Sequence, residues 1–230
     1  IGVSDLLISK MLGHKTVNLI GYYFRQKHPI QEDFDYSKEL LEEIITDDLE
    51  ILGEKGLYYK EKINDMIRDN SFDIQNNLDS IIKKVCNKFP IRMKSCGFCI
   101  KSSKERECDL DSLTNDFSCA YGCCLNHCYL YFDLPSIYEK CKEQEQIIIH
   151  NFENGFINAA QKACYQLNEF VSKELIPSYE NLKIEIDKKG KDYVKNRHIE
   201  IKKFINDDLF LEKEIKRWDL LTKRHLKKIQ

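Results

Sequence analysis

The sequence contains few of the residues that interrupt regular secondary structure. Only 9 of its 230 residues are glycine and 4 are proline, which argues against a turn-rich β-sheet protein and favours long helices. No stretch approaches the roughly 18 to 20 uncharged apolar residues that a membrane span needs. Asp5 and Lys10 interrupt the apolar N-terminal stretch and no small-residue cleavage site follows it, so we expect no signal peptide. We therefore expect a cytoplasmic protein with no membrane partner.

The formal net charge of −2 hides an uneven distribution along the chain. Residues 1–28 carry four Lys or Arg against one Asp, whereas residues 29–61 carry eleven Asp or Glu against three Lys. From Lys183 to the C-terminus, fifteen basic residues stand against nine acidic ones. Because DNA phosphates attract Lys and Arg, we expect any DNA contact at the two ends of the chain. Ordinary solvated helix faces are the alternative explanation for the C-terminal run.

Apolar residues recur at helical spacing along most of the chain. In the N-terminal half, Ser37 is a candidate N-cap for a helix that reaches about residue 52, and Gly53 ends it. Two further helices are predicted near residues 59–68 and 74–88.

The C-terminal part is predicted to contain two or three long helices that pair antiparallel. Ser136 is a candidate cap for the first helix, which is predicted to run past Gly155 until Pro177 stops it. Ser178 begins the second helix, and the third starts near Leu209. The predicted fold class is therefore all-α.

The most informative stretch lies in the first 24 residues. It reads Gly2-Val3, then Ile8-Ser9-Lys10-Met11-Leu12-Gly13-His14-Lys15-Thr16, then Gly21-Tyr22-Tyr23. This pattern resembles the closing signature of tyrosine recombinase (phage-integrase) catalytic domains, in which Leu-Gly-His at a helix end is followed nine residues later by the nucleophilic Tyr. The resemblance implies that His14 donates a hydrogen bond to the scissile phosphate. It also implies that Tyr23 attacks the phosphorus and forms a 3′-phosphotyrosyl link to DNA.

The chemistry of strand cleavage accounts for both residue types. Attack on a phosphodiester places extra negative charge on the non-bridging oxygens, which a donor such as His14 stabilises. A phenol forms a covalent intermediate that stores the energy of the broken bond for rejoining. Tyr22 is the rival nucleophile, but adjacent side chains on a helix point about 100° apart, and the family spacing selects Tyr23. A common helix end followed by core tyrosines is the alternative interpretation.

The remaining catalytic residues of that family have no counterpart in the chain. Two Arg residues, a Lys on a β-hairpin and a second His or Lys precede the signature, and their positions would fall before Ile1. We therefore expect the C-terminal fragment of a site-specific recombinase that does not cleave DNA by itself. Its expected partners are double-stranded DNA and other recombinase subunits, and no small-molecule substrate is expected.

The cysteines are clustered, since seven of the ten lie between Cys96 and Cys128. Without a secretion signal, such a cluster favours metal ligands over disulfides. Zinc takes four soft ligands in a tetrahedron, which proteins supply as close pairs separated by a loop. The order of these cysteines also resembles the Cys-bearing extension of some transposon-encoded tyrosine recombinases, which follows the catalytic Tyr and precedes a long helical tail.

A structural Zn²⁺ is therefore expected, with all four coordination positions filled by the protein. The first-choice ligands are Cys99, Cys108, Cys124 and Cys128, with Cys119 or Cys123 as substitutes and Cys96 as a replacement for Cys99. Buried reduced thiols and disulfides are the two alternatives. Three further cysteines occur at helical spacing and are expected in the core: Cys86, Cys141 and Cys164.

Other candidate residues give weaker signals. Four histidines lack a partner at ligand spacing and are expected at the surface or at helix ends: His28, His150, His198 and His225. Trp218 is expected to pack between helices, and the acidic pairs at 42–43 and 47–48 are expected on a solvated helix face.

The predicted organisation has four parts. Residues 1–30 are the end of the recombinase catalytic domain, 31–92 a helical segment, 93–133 the zinc-type Cys module and 134–230 the helical tail. Two other functions stay open at this point. One is a non-enzymatic, zinc-stabilised DNA- or protein-binding module with a coiled-coil tail, and the other is a helical interaction protein with reduced cysteines.

Overall fold

The computed structural model describes residues 31–69, 80–86, 91–100, 124–207 and 209–227. Within these residues 79% are helical, so the prediction of a mostly helical chain is confirmed. The helices are α1 (Gln31–Thr46), α2 (Gly56–Asp69), α3 (80–86), α4 (Leu134–Glu153), α5 (Ile157–Phe170), α6 (Ile176–Lys189), α7 (Lys191–Arg197), α8 (Lys202–Asn206) and α9 (Phe210–Lys227). Short 3₁₀ turns lie at Tyr131–Asp133 and Ile199–Ile201, and a π-helical turn at Val171–Leu175 connects α5 to α6.

A small antiparallel sheet occupies the described part of the Cys-rich region. Its strands are β1 (Arg92–Lys94), β2 (Gly97–Cys99) and β3 (His127–Cys128), in the order β1-β2-β3. The all-α prediction does not include this sheet. Strands of two or three residues are too short to show the apolar alternation by which a strand is recognised in sequence.

The predicted cap at Ser37 is wrong. Helix α1 begins at Gln31 and ends at Thr46, so Ser37 lies inside it. The Ser37 side chain is buried, and its hydroxyl donates to the carbonyl of Ile91 at 3.3 Å. The sequence does not distinguish a serine that caps a helix from one whose hydroxyl donates to a carbonyl far away in the chain.

The breaks between the C-terminal helices also differ from the prediction. Gly155 has a φ of +74° and separates α4 from α5, so the continuous helix predicted past Gly155 is in fact two helices. Pro177 does not stop a helix, because it lies in the first turn of α6, directly after the π-helical turn Val171–Leu175. Helix α4 starts at Leu134, two residues before the predicted cap Ser136.

One hydrophobic cluster connects the described elements, from Leu40 in α1 to Trp218 in α9. Cys141 and Cys164 are fully buried in it as predicted, and Cys86 is half-buried and packs against it. Trp218 is 1% exposed, which confirms its predicted position between helices. The four predicted segment boundaries stay predictions. Across the described ranges, no helix has both the length and the apolar character needed to cross a membrane.

Candidate metal centre

Strand β3 lies against β2 at very short range. Cys99 is directly opposite His127, and Phe98 is directly opposite Cys128. Gly97 makes this approach possible, because it has a φ of +119° and a Cβ there would clash with the carbonyl oxygen of Cys128.

A second backbone segment, at Leu52 and Gly53, contacts β3 and the residue that follows it, Tyr129. Leu52 donates its N–H to the carbonyl of Tyr129 at 2.9 Å and accepts the Tyr129 N–H at 3.2 Å. Gly53, with a φ of +102°, permits this contact because a Cβ would clash with the carbonyl of His127. Residues 52–53, 97–99 and 127–129 therefore meet at one corner of the molecule.

Three of the predicted zinc ligands lie at this corner. Cys99 and Cys128 are buried, and Cys124 is half-buried. Burial raises the pKa of Cys128 to about 12, and the neighbouring thiols of Cys99 and Cys124 add to the increase. None of the seven described cysteines is in a disulfide. The predicted ligands Cys108 and Cys119, with the substitute Cys123, lie outside the described residues.

Cys96, the predicted replacement for Cys99, is directed elsewhere. Its thiol donates to the carbonyl of Ser136 in the first turn of α4, with a sulfur–oxygen distance of 3.5 Å. Its electrostatic neighbour in that helix is the buried Cys141. Cys96 thus fastens the β1–β2 turn to α4 as a small core residue.

The described side chains do not form a ready-made metal site. Among residues 31–69, 80–86, 91–100, 124–207 and 209–227, no group of three or more His, Cys, Asp or Glu side chains is placed to hold a metal ion. Strand geometry explains part of this result. Directly opposite residues share a face of the sheet and successive residues alternate, so Cys99 and His127 lie on one face and Cys128 on the other.

His127 forms a buried ion pair that the sequence did not indicate. Its Nδ1 lies 3.4 Å from Oε1 of Glu174, and each side chain is only 3% exposed. Burial lowers the pKa of His127, but the hydrogen bond and negative charge of Glu174 outweigh it, so the pKa is raised overall. The other ring nitrogen, Nε2, is buried and has no hydrogen-bond partner in the described part of the chain.

The π-helical turn between α5 and α6 supplies Glu174. Such turns are rare and occur mostly as single turns in α-helices, often at functional sites. Here the turn also presents the carbonyl of Lys173, which accepts a 2.7 Å hydrogen bond from the hydroxyl of Tyr129. Two contacts, Tyr129 to Lys173 and His127 to Glu174, therefore join the strand region to this turn.

A pocket of about 360 Å³ opens beside this pair. Its lining includes Gly53, Cys124, His127, Tyr129 and Glu174. The pocket thus contains one predicted zinc ligand together with the buried imidazole and its carboxylate partner.

The structure places the weaker candidate residues in different environments. His150 is exposed as predicted. His198 lies at the C-cap position of α7, a helix end as predicted. Its ring stacks on Phe132 with centroids 4.3 Å apart, and its Nε2 lies 3.1 Å from Oε1 of Glu43. Glu43 also pairs with Arg197 at 3.2 Å, so this member of the 42–43 pair joins α1 to α7 and is not on a solvated face.

Residues 1–30 lie outside the described part of the chain. The catalytic assignments to His14 and Tyr23, the rival Tyr22 and the surface or helix-end assignment of His28 therefore stay predictions.

Sequence reasoning missed the residue that orients His127. Glu174 is 47 positions further along the chain than His127 and belongs to a helical stretch with ordinary charge spacing. The nearest usable signal was the presence of His127 between Cys124 and Cys128.

Comparison with known proteins gives no relative for this chain. No protein-family model matches it, no curated protein is significantly similar in sequence, and no solved structure is significantly similar in fold.

Proposed function

We propose that this chain is the C-terminal part of a tyrosine recombinase that cleaves and rejoins DNA at a specific site. The joint pattern of Leu12-Gly13-His14 and a tyrosine nine residues later, at Tyr23, carries the proposal. A helix-end imidazole and a phenol at this separation are the residue types that phosphoryl transfer to tyrosine requires.

In the proposed reaction the Tyr23 hydroxyl attacks the scissile phosphorus. A phosphotyrosine bond forms to the 3′ end of the broken strand, and the 5′ hydroxyl leaves. His14 donates a hydrogen bond to a non-bridging oxygen as its negative charge grows. Rejoining is the reverse step, in which a 5′ hydroxyl attacks the phosphotyrosine and releases Tyr23. The Arg, Lys and second His or Lys positions of the family are required in addition, so the activity is proposed for a protein that also supplies them.

Double-stranded DNA is the proposed partner of helix α9. Lys213, Lys216 and Arg224 are exposed on α9, and at 100° per residue their positions fall within about 80° of one another around the helix. Basic side chains on one helix face provide the sequence-independent attraction to phosphates on which DNA binding depends. Other recombinase subunits are the second proposed partner.

A structural Zn²⁺ is the proposed cofactor of the Cys-rich region, with Cys99, Cys108, Cys119, Cys124 and Cys128 as candidate donors. The reduced thiols and the electrostatic influence of Cys99 and Cys124 on Cys128 support it. When bound, the metal supplies cross-linking and no reaction chemistry. Because the described side chains do not complete a site by themselves, the proposal requires a donor from residues 101–123.

The decisive experiment for the recombinase traps the covalent intermediate. The experiment uses a protein in which the family's Arg and Lys residues precede this sequence. The protein is denatured rapidly with detergent in its host, and any DNA that remains attached to it is purified and sequenced. We expect DNA joined at one recurrent site through its 3′ end, with the nucleotide on the Tyr23 peptide by mass spectrometry. Tyr23→Phe should abolish the adduct and Tyr22→Phe should preserve it. A nucleotide on Tyr22, or no adduct in wild type, would contradict the assignment.

A non-enzymatic, zinc-stabilised binding module is the second candidate function. The hydrophobic cluster that runs from Leu40 to Trp218 favours it, because the described residues form a continuous core. DNA that co-purifies after mild crosslinking, without any phosphotyrosyl link, would identify this alternative. Metal analysis tests the zinc in either case, and less than about half an equivalent per chain would count against the module.

A further inference from the structure

The His127–Glu174 pair has the arrangement of a metal-ligating histidine and the carboxylate that orients it. In metal sites, one ring nitrogen binds the ion while the other donates to a carboxylate, which fixes the tautomer and the ring orientation. Here Nδ1 faces Oε1 of Glu174 at 3.4 Å, and both side chains are 97% shielded from solvent. Glu174 thus holds the ring in the orientation in which Nε2 is available as a ligand.

The Nε2 atom lacks the partner that a buried polar atom needs. It is inaccessible to solvent and makes no hydrogen bond with any residue that the structure describes. Buried polar atoms in folded proteins are almost always paired, and an exception requires an explanation such as a bound ion. The ring of His127 forms part of the lining of the 360 Å³ pocket, together with Cys124.

A soft donor lies within the same turn of the backbone. The His127 N–H donates to the Cys124 carbonyl at 3.1 Å, which closes a turn with Cys124 and His127 at its two ends. Both side chains line the pocket, and the thiol of Cys124 acts electrostatically on His127. Zinc sites use such close pairs of thiolate and imidazole ligands.

We infer that His127 is a nitrogen ligand of the zinc ion, paired with Cys124, and that Glu174 is its positioning residue. This inference rests on the proposed zinc site and changes its composition, since one of the four places assigned to cysteine belongs to an imidazole. The side chains are not gathered around a common point in the described structure. Binding of the ion therefore brings the sulfur ligands to the oriented imidazole, as is usual where metal binding is coupled to folding.

Cobalt spectroscopy on the full chain tests the inference. Co²⁺ replaces Zn²⁺, and the d–d bands distinguish four sulfur ligands from three sulfurs and one nitrogen. We expect a three-sulfur, one-nitrogen spectrum for the wild type, and His127→Cys should shift it to the four-sulfur type while keeping one metal per chain. Zinc affinity is measured by competition with a chromophoric chelator. Both His127→Ala and Glu174→Gln should weaken it about 10- to 100-fold.

His150→Ala is the matched control, because it removes an exposed imidazole from α4 and should change neither spectrum nor affinity. Circular dichroism of each variant without metal checks that the helices persist, and His127→Cys keeps the test valid if His127→Ala does not fold. An unchanged spectrum and affinity in a folded His127 variant would overturn the inference and leave the zinc proposal standing. A wild-type chain that binds neither ion would overturn both.

Discussion

The indole N–H of Trp218 in α9 donates a 3.0 Å hydrogen bond to Oε2 of Glu145 in α4. Both residues are buried. The half-buried Arg217 donates hydrogen bonds to both oxygens of the same carboxylate. A polar contact inside the apolar interface between two helices restricts how they can pack, because any other register would remove the indole and guanidinium donors from the carboxylate.

Glu145→Ala should lower the free energy of unfolding by about 2 kcal/mol, because it leaves the buried indole N–H and one side of Arg217 without an acceptor. Trp218 is the only tryptophan of the chain, so its fluorescence in a urea titration reports on this interface. Glu143→Ala is the control, since Glu143 is exposed on the same helix and pairs with Lys140 at 2.8 Å. Equal losses in the two variants would show that the buried contact contributes nothing.

The same carboxylate makes stability depend on pH. Burial raises the pKa of Glu145, but hydrogen bonds from Arg217 and Trp218 outweigh it and lower the pKa to about 2, from the ordinary 4.5. Its contribution is therefore fully present above pH 4.5 and is lost as the pH falls from 4.5 toward 2. Urea titrations across this window should show a steeper loss for the wild type than for Glu145→Gln. Parallel pH profiles for the two proteins would refute the assignment.

Gly97→Ala should be far more destabilising than Gly155→Ala. Both glycines have positive φ, but a Cβ at Gly155 meets nothing within 4 Å, whereas at Gly97 it meets the backbone of Cys128. We expect about 1 kcal/mol for Gly155→Ala from strain alone, and about 3 kcal/mol for Gly97→Ala because the strands must also separate. Thermal or urea unfolding followed by circular dichroism measures both. A cost at Gly97 no greater than at Gly155 would mean that β2 and β3 are not in close contact.

Charge reversal on α9 tests the proposed DNA interface. Lys216→Glu should weaken DNA binding and reduce the slope of log affinity against log salt by about 0.9, the value for one phosphate contact. Lys83→Glu, an exposed reversal on α3, serves as the control and should leave the slope unchanged. Fluorescence anisotropy with a duplex at several salt concentrations provides the data. Identical slopes for wild type and Lys216→Glu would remove α9 from the interface.

The predictions that succeeded depend on residues close together in the chain. The helix predicted near 59–68 is α2, and the one from about Leu209 is α9, because each has an apolar stripe at helical spacing. The core positions of Cys141 and Cys164 follow from the same periodicity. The zinc-ligand assignments to Cys99, Cys124 and Cys128 stay predictions.

The predictions that failed concern residues whose role is decided by a distant partner. Ser37 and Pro177 have ordinary local signals for a helix start and a helix end, yet Ser37 bonds Ile91 and Pro177 lies within the first turn of α6. Glu43 was expected in solvent, although the approach of α7 supplies Arg197 and His198 as its partners.

The amino-acid sequence alone determined the helical character of the chain, the apolar faces that form its core and the clustering of its cysteines, since all three depend on composition and short-range spacing. Only the tertiary structure decided that Glu174 meets His127 and that Glu145 meets Trp218. Residues 47 and 73 positions apart come into contact only after the helices have packed. Local periodicity shows which face of a helix is buried, but it does not show which residue of another helix that face will contact.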